Sequence, residues 1–220
     1  RPRVQARRQA SLGMDESHMT SDEAFLLGTT SIQTADADGW VVSITPSGGW
    51  VPAFIAGDTG VGLSQRMQSF DMDRAMNPFN LVEPGKRPRA TLSPGLAMRN
   101  GQPFLSFAVQ GGDAQDQNLL QLFLNVVEFG MDVQQATEAA NINSYQMHGS
   151  VGARRNAEPG RLLVRTDTPA QVVAELRRLG YIVEGGQKTS GPINAIYFDQ
   201  EHGTLWGGSS DFGDDYGIAW

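Results

Sequence analysis

The chain has 220 residues, with 17 Lys and Arg against 24 Asp and Glu, for a net charge of −7. An apolar share of 40% and an aromatic share of 8% supply a core and exclude a disordered chain, and the length fits one large or two small domains. The absence of cysteine excludes a disulfide framework, a thiolate nucleophile and a Cys-based zinc site. His18, His148 and His202 have no i, i+4 spacing and imply no metal, the acidity argues against non-specific nucleic-acid binding, and no apolar run reaches the ~18–20 residues of a membrane span.

Residues 1–28 read as a polar helix and loop. Arg1, Arg3, Arg7 and Arg8 lie in an acid-free start that is either a basic arm or a solvated helix end. Arg1 stands where an initiator Met would, and no apolar h-region follows, so the chain is expected to be a fragment or a processed piece. Thr29–Asp36 and Trp40–Thr45 flank Asp38-Gly39 and predict a hairpin. Pro46–Gly62 and Met72–Arg89 read as loops. A second hairpin is expected from Gly95–Met98 and Pro103–Val109 around Arg99-Asn100-Gly101.

Gly111-Gly112-Asp113 should open a helix whose Leu119, Leu120, Leu122, Phe123, Val126, Val127 and Phe129 predict burial on several sides, with Gly130 as its cap. A second helix is expected over Asp132–Ala140, a strand over Arg161–Arg165, and a helix from Thr168-Pro169 to Gly180. Tyr181–Val183, Ile193–Phe198 and Thr204–Trp206 read as strands. Strand pairs around central helices indicate a layered α+β domain.

Several motifs lead nowhere specific. Gly57–Gly62 has its glycines in the wrong order for a dinucleotide fingerprint and reads as loop, and no G-x-S-x-G occurs. Gly180–Thr189 has Gln187 where a phosphate loop needs Lys and reads as a turn. Asp211, Asp214 and Asp215 form either a cation site or a solvated acidic tail.

The segment Gly28-Thr29-Thr30-Ser31 carries the chemistry. A Gly before a Thr at a strand edge is where a self-processing hydrolase cuts itself. The freed Thr can use its own α-amine as general base. The order Thr29-Thr30, Asp36-x-Asp38-Gly39, Pro84-Gly85-Lys86-Arg87-Pro88, Ser93-Pro94, Gly111-Gly112, Asn125–Asp132 and Gly207–Asp211 resembles the small subunit of the gamma-glutamyltransferase family. The resemblance covers nearly all of residues 29–220.

The resemblance implies an N-terminal nucleophile hydrolase with a four-layer αββα sandwich, here lacking most of the large-subunit half. It makes residues 1–28 the tail of the large subunit and 29–220 the small-subunit catalytic domain. Cleavage falls between Gly28 and Thr29. Thr29 is the nucleophile, Ser47 replaces a second Thr that bonds it, and the N–H groups of Gly111 and Gly112 form the oxyanion hole. The partners implied are the large subunit and a small amide substrate, with no cofactor.

Departures from the family concern substrate. Gly49 replaces an Asn, Ser31 a His, Ala90-Thr91 paired serines, and Ser69 the aspartate that holds an amine. Substrate contacts are expected at Arg66, Ser69 and Thr91, with Arg66 either a site for an acidic acyl group or a plain surface arginine. Three readings follow: a gamma-glutamyltransferase-like amidohydrolase favouring hydrolysis over transpeptidation, an acylase for β-lactam side chains or other N-acyl compounds, and a catalytically silent binding or structural homologue.

Overall fold

The computed structural model describes residues 29–48, 54–75, 77–150, 157–213 and 215–219. The expected helix in 1–28, the cleavage residue Gly28, and the positions Gly49 and Asp214 lie outside them.

The first hairpin pairs β1 (Ile32–Ala35) with β2 (Val41–Ile44). Asp36 builds its turn: the carboxylate accepts from the backbone N–H of Asp38 at 3.0 Å and of Trp40 at 2.9 Å. The second hairpin pairs β3 (Gly95–Arg99) with β4 (Gln102–Val109). Its two-residue turn has φ of 53° at Asn100 and 78° at Gly101, as a type I′ turn requires.

The order β3-β4-β8-β9 gives a four-stranded antiparallel sheet, with β8 at Ile193–Asp199 and β9 at Thr204–Ser209. β4 is buried on both sides, with Leu105, Ser106, Ala108 and Val109 all at most 1% exposed. On one side lie α1 (Gln115–Val127) and α2 (Val133–Glu138), and Leu105, Val109, Leu119, Leu122, Val133 and Ile193 close the core between them. On the other side lies the β1–β2 hairpin. That contact is partly polar: Ser106 donates to Gln33 Oε1 at 2.5 Å, and Asn194 donates to Ser31 Oγ at 3.0 Å. Helices, four-stranded sheet and two-stranded sheet thus form three successive layers of an α+β fold.

A third sheet joins β5 (Ile142–Ser144), β6 (Arg161–Arg165) and β7 (Ile182–Gly186), the last two parallel across α3 (Ala170–Arg178). β5 has no signal in its sequence. Side chains of α1 hold it instead: Gln121 accepts from Ile142 N–H at 2.9 Å and Gln117 from Ser144 N–H at 2.7 Å.

Three local expectations are corrected. α1 is buried on one flank only, with Leu120 59% and Phe129 72% exposed, because the sheet covers a single side of it. Thr168 does not cap α3: Pro169 takes the N-cap position with no side-chain bond, and Thr168 Oγ1 has no partner among the described residues. Gly185-Gly186 continues β7 instead of turning away from it. α2 matches its signal, since Asp132 and Gln135 form a reciprocal capping box.

Gly191 abuts Gln110 where β8 begins. A Cβ at position 191 would lie 2.5 Å from the Gln110 carbonyl oxygen, a backbone atom held by the bond from Gln110 N–H to the Pro192 carbonyl at 3.2 Å. Gly191→Ala is therefore expected to cost about 1–3 kcal/mol. Thermal unfolding of the full-length protein should show a lowered Tm, while Gly207→Ala, whose Cβ meets nothing within 4 Å, should leave Tm nearly unchanged.

Candidate functional site

The first hairpin continues past its regular strands. Three residues outward from the Ile32–Ile44 pair, in the same register, Thr29 faces Ser47 across an isolated antiparallel bridge. Between them Thr30 N–H donates to the Pro46 carbonyl at 3.1 Å. The turn at Asp36 thereby fixes which residue stands opposite Thr29.

Across that pair the side chains meet. Thr29 Oγ1 donates to Ser47 Oγ at 2.9 Å. Arg66 Nη2 donates to the same Ser47 oxygen, also at 2.9 Å. Thr29 is 9% exposed and Thr30 is exposed at the surface. An open cleft of about 430 Å³ lies over this point, and none of the described residues lining it (29–30, 46–48, 62 and 64) is charged.

Residues 64–66 are strapped to the Ser47 side. Gln65 N–H donates to the Gly48 carbonyl at 2.8 Å, Ser64 Oγ to the same carbonyl at 3.3 Å, and Arg66 N–H to Ser64 Oγ at 3.0 Å. This aims the short 3-10 turn Arg66–Ser69 at the Thr29–Ser47 pair. Burial pulls the Arg66 guanidinium below its ordinary range, and the charge of Asp113 opposes that pull.

Asp113 belongs to the loop that opens α1. Gly111 and Gly112 are buried, with φ of 148° and 53°, conformations that side chains resist. Asp113 then accepts from Ser150 N–H at 2.6 Å and from the Ser150 hydroxyl. Its charge acts on Arg66, the residue that bonds Ser47.

Thr29, Ser47 and Arg66 are therefore joined in one hydrogen-bonded chain, with Gly111-Gly112 beside Asp113. Ser69 is buried, and its hydroxyl donates to the Arg89 carbonyl at 2.8 Å. Thr91 is half-buried on the segment entering β3 and is not part of the Thr29–Ser47–Arg66 chain. Asp211 and Asp215 belong to no group of three or more potential metal ligands among the described residues. The charge of Asp211 acts on Arg165, and Asp215 accepts from Asn194 at 3.2 Å. Sequence reasoning did not single out Asp113. The available signal was an acidic residue directly after two glycines at a helix start.

The sequence matches the family model described as gamma-glutamyltranspeptidase over residues 3–220. It is 32% identical over 186 residues to the glutathione hydrolase-like YwrD proenzyme of Bacillus subtilis, covering 84% of this chain and 34% of that protein. It is 26% identical over 179 residues to the Acylase ACY 1 proenzyme of a Pseudomonas species, covering 81% of this chain and 30% of that one. The chain thus spans about a third of the length of the curated relatives it matches. The gamma-glutamyltranspeptidase from Pseudomonas nitroreducens complexed with L-DON superposes with a TM-score of 0.72 over 87% of this chain and all of its matched chain, at 24% identity. That likeness shows that the two chains share the layered α+β fold. The chain belongs to the gamma-glutamyltranspeptidase family.

Proposed function

We propose that this chain is the catalytic portion of a self-processing threonine amidohydrolase. The observation that carries the reading is the Thr29–Ser47 hydroxyl pair at 2.9 Å on the floor of an open cleft. The names of the curated relatives, as proenzymes, support the processing step.

In that step the Thr29 hydroxyl attacks the Gly28 carbonyl carbon, and the Gly28–Thr29 C–N bond gives way to an ester. That C–N cleavage frees the Thr29 α-amine, and water then hydrolyses the ester, releasing the Gly28 carboxylate and restoring the Thr29 hydroxyl. In turnover the α-amine takes the hydroxyl proton as Oγ1 attacks the substrate amide. The oxyanion accepts N–H bonds from the Gly111-Gly112 loop. The leaving amine departs with the proton, and water returns the acyl group as a carboxylic acid. Hydrolysis is the favoured outcome over transfer to a second amine.

Residues 29–220 form the catalytic domain in this reading, and residues 1–28 end the large subunit. The rest of that subunit covers the exposed apolar faces: Ile32, Val42 and Ile44 on the first hairpin, and Leu120, Val127 and Phe129 on and beside α1. The acyl donor is γ-glutamyl or a related acyl amide. The acylase alternative draws support from the cleft itself: none of its described lining residues is acidic, so none of them offers a carboxylate to an α-ammonium.

Release of an anilide from γ-glutamyl and glutaryl donors by the full-length protein tests both readings. Thr29→Ala should abolish release from either donor. Ser47→Ala should slow it roughly tenfold, the worth of one hydrogen bond in the transition state. Gly112→Ala should cost on the order of 10²-fold in kcat through a displaced N–H donor. Release that survives Thr29→Ala contradicts the nucleophile assignment, and a glutaryl preference selects the acylase reading.

A further inference from the structure

We propose that Arg66 is a positioning residue for the Thr29 nucleophile: its guanidinium fixes Ser47 Oγ, and its permanent charge keeps the freed Thr29 α-amine in its base form at lower pH. The inference rests on Thr29 being an N-terminal nucleophile and adds how that group is tuned.

The argument starts from the valence of one oxygen. A serine hydroxyl has two lone pairs and one proton. Ser47 Oγ accepts from Thr29 Oγ1 and from Arg66 Nη2, each at 2.9 Å. The guanidinium has no acceptor and stays charged, so its side of Ser47 never reverses. The Thr29 hydroxyl is thus held on an oxygen that is itself anchored by a charge-assisted bond, so its position is set before its proton leaves.

Arg66 acts from behind. It is absent from the described cleft-lining residues and reaches the cleft through Ser47. Its backbone is held by Ser64 and by the Gln65–Gly48 bond, so its reach is set before substrate arrives. Among the described residues the charge that acts on it is Asp113, from the turn that opens α1, and the described cleft lining adds none.

The sign follows from like charges. A free α-amine ordinarily titrates near ~7.7–8.0. A neighbouring cation disfavours the ammonium and lowers that value. The base form is the active one, so activity falls as pH drops through the amine's pKa. Arg66 moves that loss to lower pH, and Asp113 partly cancels it.

The test is the pH profile of kcat/KM of the processed full-length protein. Arg66→Gln should move the acid limb upward by on the order of one pH unit. Arg66→Lys, which keeps the charge, should restore most of the limb's position. Asp113→Asn should move it downward, a sign that simple loss of packing does not produce. Should Arg66→Gln block cleavage, the segment beginning at Thr29 can be co-expressed with the upstream polypeptide, which supplies the free amine without processing. An unmoved acid limb in Arg66→Gln, or a change confined to KM, overturns the proposal. Absence of Thr29-dependent activity in the parent protein instead overturns the underlying nucleophile reading.

Discussion

The register of one short hairpin controls the site. Asp36 ties its carboxylate to the N–H groups of Asp38 and Trp40, and that local turn sets Ile32 opposite Ile44. Continuing outward without a slip, the same register sets Thr29 opposite Ser47. Side chains in paired strands alternate between faces, so a shift of one residue would send one hydroxyl to the opposite side of the ribbon. The 2.9 Å Thr29–Ser47 bond thus depends on turn chemistry several residues away.

The second constraint is the hold on the paired glycines. Gly111 and Gly112 lie between the buried strand β4 and helix α1, in conformations that side chains resist. Gln110 is clamped by Pro192 and crowded by Gly191, while Asp113 is anchored to Ser150. The backbone of this loop is therefore held by the core and by a side-chain clamp, the kind of fixed support that the proposed oxyanion role needs. Arg66 links the two constraints, since it bonds Ser47 and feels Asp113.

Legibility in the sequence followed the range of the interaction. The hairpins were readable because Asp36, Asn100 and Gly101 carry their turn chemistry locally. The start of α2 at Asp132 was readable too, and the structure builds it with a capping box between Asp132 and Gln135. β5 was not, because Gln117 and Gln121 of a distant helix hold it in place of its own alternation. The one-sided burial of α1 was not readable either, since apolar residues around a helix do not say which layer covers each flank. At the site, Thr29, Ser47 and the paired glycines came from the family resemblance, and the geometry brings the first two together. The bond from Arg66 to Ser47 joins residues 19 positions apart through an irregular loop, and no periodicity encodes it.

The central claim is that the Thr29 hydroxyl is the group around which this architecture is organised. The most direct measurement is the intact mass of the full-length precursor after folding, beside its Thr29→Ala variant. The account predicts two fragments parted between Gly28 and Thr29 in the parent and a single uncut chain in the variant. A folded parent that stays in one piece would leave Thr29 without a free α-amine and contradict the account.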